Sequence, residues 1–501
     1  MARKSLRSLA LVVGAILGVL AIAWSVTLSS AVSLLAATVL VMGGTQHPLV
    51  SAQGGWADPY PFVADYADDA VRIYVVPSAA VRGDATEPDD YQAVAVHTPE
   101  EFSPVFGTTT FGDSVDAGLA NLGDCVSRKA SCVSRPVQAD PDAQLPPAEF
   151  ESPFVIYGYS QSAIIATLLK RQLIEQYGDS EDLPDIDFVL LANPNRPNGG
   201  IMQRFEGLSI PLLNVTFNGS TPTNGGFDTV DVARQYDGWA DFPVYPMNML
   251  ATMNALMGIY YLHGDYWSTG VAAPLEQAEV GDTTYYMIPT DRLPLLTPLA
   301  QLGVPSPLLT ALDAPLRVIV EWGYDRDADH VGTPTRAGLF PVANPITGLT
   351  NLVIAIPTGL DDAAAESAGD PTYRPLGTKP VESPYGVGGI ELGDPLPPPA
   401  APETQSINAT ETTPVVETPP AETPDNEPKS DAKRQVAETG DDGDVAVKPQ
   451  RRGPISRILD RLKPQRHESP KSTEPQDPGK ADDETEDADD PAPEDDSADA
   501  A

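Results

Sequence analysis

Histidine and cysteine are scarce in this chain, at five and two of 501 residues. No histidine lies near Cys125 and Cys132 in "CVSRKASC", so the pair does not read as a zinc site, and neither a metal nor an organic cofactor is expected. Six intervening residues make a loop that a disulfide can close, worth about 2.5 kcal/mol in the chain-entropy picture. Two unpaired thiols are the plainer alternative. Basic side chains are also few, 31 Lys and Arg against 71 Asp and Glu, for a formal net charge of -40. Residues 401–501 hold 26 acidic and 12 basic side chains, so most of that charge lies in the body. Such a balance argues against a nucleic-acid partner, which needs clustered Lys and Arg.

Charge is absent from Ser8 through Gly44, and Arg3, Lys4 and Arg7 precede that stretch. A run so long and apolar can cross a bilayer, and basic residues on its N-terminal side keep that end in the cytoplasm. Residues 1–35 are therefore expected to be a basic end plus a transmembrane anchor or a signal. No persuasive A-x-A cleavage site precedes the body, which favours a retained anchor. The expected product is a single-pass cell-membrane protein with its folded body outside the cytoplasm. An exported body also suits a Cys125–Cys132 disulfide.

Short β-rich runs, most of them continuously apolar, recur through the first two-thirds of the chain: residues 38–44, 71–77, 154–159, 187–194, 212–219, 229–237 and 317–325. Continuous runs rather than alternations fit strands buried on both faces of a parallel sheet. Between them lie helical patterns: Ile164, Ile165, Leu168, Leu169 and Leu173 in one, Leu250, Met253, Leu256, Met257 and Tyr260 in another. Strands alternating with helices predict an α/β domain with a mainly parallel sheet, over residues 36–345. Residues 346–390 read as a domain edge or linker. Residues 391–501 are Pro-rich and acidic, and are expected to be disordered. Inside that tail, Ile455, Ile458, Leu459 and Leu462 line one side of a short basic stretch, so an envelope or membrane-protein partner for the tail is kept open.

The chemistry concentrates in "FVIYGYSQSAIIATLL", residues 154–169. A strand ending near Gly158, Ser160 two residues on, small Ser162 and then a helix make a G-x-S-x-S nucleophile elbow. Serine needs a general base, and the base an orienting carboxylate. Three histidines follow Ser160. His467 lies in the tail, His263 follows a helix in "YYLHGDYW", and His330 sits in "YDRDADHVGTPT". For the acid, "TVDVARQYDGWADFP" points to Asp237 just past a strand, with Asp241 four residues on as the alternative and Asp228 and Asp231 earlier. The backbone N–H groups of Gln161 and of Thr45 in "MGGTQHP" are the expected oxyanion donors.

Taken together, "VLVMGGTQHP", "TPEEFSPVFG", "FVIYGYSQSA", "ANPNRPNGGI", the segment from "VARQYDGWADFP" to "YYLHGDY" and "VEWGYDRDADHVGTPT" resemble the mycobacterial PE-PPE domain. That resemblance covers roughly residues 36–345. It implies a serine α/β-hydrolase fold distantly similar to cutinases, with Ser160, an Asp of "YDGWADFP" and His263 as the triad. It is also similar to membrane-anchored members that act as acyltransferases completing trehalose-based envelope glycolipids. The resemblance thus implies lipid and glycolipid substrates. Transfer through an acyl-serine, ester hydrolysis by the same serine, and an inactive envelope-binding fold are the three readings carried forward.

Overall fold

The computed structural model describes residues 37–397 except 84–87, 139, 179, 181, 269–270 and 340–344. The expected membrane-crossing segment and, beyond residue 397, the acidic tail with its basic stretch lie outside the described residues; residues 391–397, expected as the start of the disordered tail, are instead bonded to the sheet edge at Pro274 and Glu276. Among the described residues, no helix is long and apolar enough to cross a membrane.

Eight strands form one sheet: β1 (Ala37–Val41), β2 (Tyr91–Val96), β3 (Ser134–Pro136), β4 (Phe154–Tyr159), β5 (Ile186–Leu191), β8 (Thr229–Arg234), β9 (Leu275–Val280) and β10 (Thr283–Ile288). β6 (Ser209–Ile210) and β7 (Val215–Thr216) pair separately. The order is β3-β2-β1-β4-β5-β8-β10-β9, parallel from β2 to β10 and antiparallel at the two edges. β1 and β4 at the centre are buried at every position because both faces are covered. Val39, Val41, Val155, Tyr157, Val189 and Leu191 enter one core, while Leu40, Met42, Phe154, Ile156, Phe188 and Leu190 enter the other.

The longer helices are α1 (Tyr60–Asp69), α2 (Phe111–Val126), α3 (Gln161–Tyr177), α4 (Met249–Tyr261), α5 (Ser306–Glu321) and α6 (Pro345–Ala368). From β1 the chain goes to β2 on one side, and β4 then joins on the other side. The direction of winding therefore reverses between β1 and β4. Parallel sheets place their ligand crevice at such a reversal, beyond the carboxyl ends of the strands.

Three expected strands are something else. Residues 71–77 continue α1 as a helical turn, Ala70–Val75, and a further helix, Val76–Arg82. Val71, Tyr74 and Val75 are buried at helical spacing, and Pro77 sits in a first turn where it breaks no hydrogen bond. Residues 317–321 finish α5, with Arg317, Val318 and Val320 buried. Residues 212–219 contribute only the two-residue β7 outside the main sheet. A short apolar run satisfies either period, and in each case the neighbouring elements decide it. The segment expected as a domain edge or linker contains α6, which packs on α5. The chain then returns to the sheet edge, where Glu276 N–H donates to Asp394 O at 2.9 Å and Leu396 is buried.

Candidate active site

At the carboxyl end of β4 the strand turns into α3 within one residue. Ser160 occupies that corner with φ 60° and ψ −114°, a conformation costing roughly 1–3 kcal/mol for a residue with a Cβ. Its surroundings fix the strain. Ser160 N–H still donates to Leu191 O of β5 at 3.1 Å, so sheet pairing runs up to the serine itself. Ser162 Oγ accepts from Tyr159 N–H at 2.8 Å, closing the turn. A Cβ on Gly158 would lie 2.8 Å from Ser162 O and 2.9 Å from Ala163 Cα, so the strand and helix can meet only over a glycine.

Ser160 Oγ is 2.7 Å from His263 Nε2. His263 lies two residues past the end of α4, and its Nδ1 is 2.8 Å and 3.0 Å from the two carboxylate oxygens of Asp237. With the neutral imidazole carrying its proton on Nδ1, Ser160 donates to Nε2 and Nδ1–H donates to Asp237. Asp237 is fully buried, and its carboxylate also accepts from the Tyr266 hydroxyl at 2.7 Å and from Trp239 N–H at 3.1 Å. Burial, reinforced by the Asp237 charge, holds the Tyr266 hydroxyl well above its ordinary range, so it remains a donor. The Tyr159 ring stacks on His263 at 5.5 Å between centroids, and its hydroxyl donates to His263 O.

The other candidates are occupied elsewhere. Asp241 is gripped by Arg326, Nη1 to Oδ1 at 2.7 Å and Nη2 to Oδ2 at 3.0 Å. Asp231 pairs with Arg196 inside the sheet and accepts from Asn193 at 2.8 Å. His330 is exposed and bonded to Asp325 at 2.8 Å, which raises its pKa.

The loop after β1 leans on the elbow. A Cβ on Gly44 would lie 2.9 Å from the Tyr159 ring, so this approach also needs glycine. Gln46 N–H donates to Glu100 O at 2.9 Å. The Gln161 side chain joins the pieces: Nε2 donates to Thr45 Oγ1 at 3.2 Å and to Glu101 O at 3.1 Å, while Oε1 accepts from Ser114 Oγ at 2.8 Å. Thr45 is thereby held beside the first residue of α3, whose N–H has no helical carbonyl to bind. Glu100 is buried in left-handed backbone, φ 53°, and burial pushes its carboxyl up to about 8, against a smaller opposite pull from Thr98.

Behind the acid, Tyr236 has φ 69°, and its N–H donates to Asp241 Oδ2 at 2.8 Å. Arg326 Nε binds Glu321 at 2.8 Å, and the Tyr236 hydroxyl donates to the same carboxylate at 2.7 Å. Burial works against the Arg326 charge, but Asp241 and Glu321 outweigh it and hold the guanidinium well above its ordinary pKa. Tyr266, Arg326, Glu321, Ser114 and the side chain of Gln161 escaped the sequence reading. For Gln161 the position after the serine was a signal, but only for its backbone.

Cys125 and Cys132 form a disulfide at the end of α2. Among the described residues, no cluster of His, Cys, Asp or Glu could hold a metal ion.

Residues 88–325 match the PE-PPE domain. Esterase PE16 of Mycobacterium tuberculosis is 36% identical over 315 residues, 61% of this chain and 52% of that protein. From the same organism, SL1278 acyltransferase Chp1 is 29% identical over 246 residues, 46% of this chain and 53% of its own. Diacyltrehalose acyltransferase Chp2 is 27% identical over 174 residues, 33% and 46% respectively. The chain thus spans about half the length of these relatives. Over residues 88–325 it is thus similar to the PE-PPE domain, and it is related to the mycobacterial esterase PE16 and to the acyltransferases Chp1 and Chp2.

Proposed function

We propose that this protein is an extracytoplasmic serine acyltransferase of the α/β-hydrolase type, moving fatty acyl groups between trehalose-based envelope glycolipids. The observation that carries the reading is the unbroken chain Ser160–His263–Asp237 at the reversal point of a mostly parallel sheet. Ser160 Oγ attacks the ester carbonyl of a donor lipid while His263 Nε2 takes the serine proton. The oxyanion so formed is met by the N–H groups of Gln161 and Thr45. Collapse releases the donor's alcohol, which receives the proton from His263, and leaves an acyl-serine. A sugar hydroxyl on the acceptor lipid then gives its proton to His263, attacks the acyl carbon, and Ser160 recovers its proton. Asp237 and Tyr266 hold the imidazole in register for both halves.

Export is supported by the basic residues ahead of the uncharged N-terminal stretch and by the Cys125–Cys132 disulfide, which oxidising compartments favour. In this reading the N-terminus anchors the chain in the cell membrane and the acidic tail reaches an envelope partner. A second reading, an esterase that admits water to the acyl-serine, is favoured by the broader match to PE16. The two differ only in the attacking group. Purified protein given an acylated trehalose lipid separates them. Transfer yields a more highly acylated product and a deacylated partner, both lost in Ser160→Ala; predominance of free fatty acid in lipid-rich, detergent-poor conditions assigns the esterase.

A further inference from the structure

α4 is amphipathic the wrong way round for a helix on a water-soluble protein. Its inner face is small: Ala251, Asn254, Ala255 and Gly258 are buried, with Ala255 and Gly258 against the turn that carries Asp237, Ala251 against Gly323 and Asn254 bonded to Leu295 N–H. Its large side chains point outward, with Met249 64% exposed, Met253 45% and Tyr260 52%. The neighbouring elements continue the pattern. Leu302, in the turn before α5, is 81% exposed, and Leu308 and Leu312 of α5 and Leu349, Val353, Ile356 and Leu360 of α6 are exposed too. Asn248 at the start of α4 donates to Ile319 O of α5 at 2.7 Å, and Thr310 of α5 bonds Glu366 of α6, so the three helices adjoin.

Residues 242–262, 293–312 and 337–360 contain no Asp, Glu, Lys or Arg, in a chain where charged residues make up 20%. Scattered exposed leucines need no explanation, but so many exposed apolar side chains concentrated on three adjoining helices mark a binding surface. The missing charge says what it binds. A protein partner would meet a polar, hydrogen-bonding rim around its apolar centre, and here the uncharged composition runs the length of three segments. Flexible Met and Leu side chains suit a fluid apolar phase. The face also adjoins the site, because α4 runs through Leu262 directly into His263.

We infer that α4, α5 and α6 form a docking face for the uncharged surface of a lipid assembly, which sets the Ser160 crevice beside the lipid phase. The inference draws on the proposed function only for the presence of lipid at the site; docking itself is read without turnover.

The experiment uses the full chain carrying one added cysteine, at Leu302→Cys, Val353→Cys or, on the outer side of α3, Gln176→Cys. The native cysteines are bonded to each other, so an environment-sensitive dye labels only the new thiol. On adding phosphatidylcholine vesicles, emission should rise several-fold and shift to the blue at positions 302 and 353 and stay unchanged at 176. Reaction of Ser160 with a soluble phosphonate reports in parallel that each variant is folded. No change at 302 and 353 in folded protein would overturn the inference, as would an equal change at 176. A blue-shifted signal present before vesicles are added would also overturn it, assigning the face to a second copy if the signal grows with protein concentration and to the chain's own tail if it does not.

Discussion

The turns after β4 and β8 each hold a non-glycine residue in left-handed backbone, Ser160 at φ 60° and Tyr236 at φ 69°, and each presents one end of the same relay. They are held by opposite means. The serine turn is defined by side chains that are missing or small, with Gly158 under the helix, Ser162 closing the corner and Gly44 letting the first loop approach. The acid turn is defined by charge: Arg326 binds Asp241, Asp241 receives Tyr236 N–H, and Glu321 receives the Tyr236 hydroxyl. A steric turn is a local solution, whereas an electrostatic one borrows a partner 85 residues away. The acid side should therefore be the more sensitive to single substitutions outside the relay.

The strongest way to break the comparison is at the relay itself. His263→Ala should lower turnover of a soluble ester by about four to six orders of magnitude, and Asp237→Asn by about four, because both turns serve one proton path. His330→Ala should stay within a few-fold. The reverse ranking of the two histidines in steady-state kinetics would transfer the role of base.

Next comes the support of the acid turn. Arg326→Met leaves Asp241 and Glu321 buried without their counter-charge, and should cost about 3–5 kcal/mol in denaturant unfolding. Adding Asp241→Asn should recover part of that loss. A stability equal to wild type would show that the charges do not hold the turn.

A smaller effect sharpens the contrast on the serine side, where Glu100 is a buried carboxyl beside the first loop. Its folded pKa is raised to about 8 from an ordinary 4.5. A raised pKa means that the stabilising proton is fully present below pH 4.5 and its contribution is lost as pH climbs through 8. Glu100→Gln keeps the shape without the ionisation, so its melting temperature should match wild type near the lower limit and exceed it increasingly toward the upper one. A constant difference across that range would mean that burial does not hold the proton on Glu100.

The same contrast explains what could be read in advance. The elbow was legible because glycine, serine and an apolar helix sit within a few consecutive residues, and steric demands leave local marks. The sequence favours Asp237 only narrowly over Asp241, because they are one turn apart; the fold separates them, giving Asp237 to His263 and Tyr266 and Asp241 to Arg326. Tyr266 carried no mark at all, since an aromatic hydroxyl that buttresses a carboxylate looks like any core tyrosine until the chain is folded. For α4 the three- and four-residue spacing gave the helix but not its orientation. An apolar stripe is a core face in most soluble domains, and here the small residues on the other side took that place. Residues 71–77 and 317–321 went to helices because continuous apolar runs satisfy both periods.

The most direct test of the relay is mass spectrometry of the full chain after treatment with a lipid-like alkyl phosphonate. Wild type should gain a single adduct on the peptide containing Ser160, at a rate that collapses in His263→Ala and disappears in Ser160→Ala. An adduct on another residue, or labelling of Ser160 that is indifferent to the loss of His263, would contradict a serine activated by His263 and Asp237.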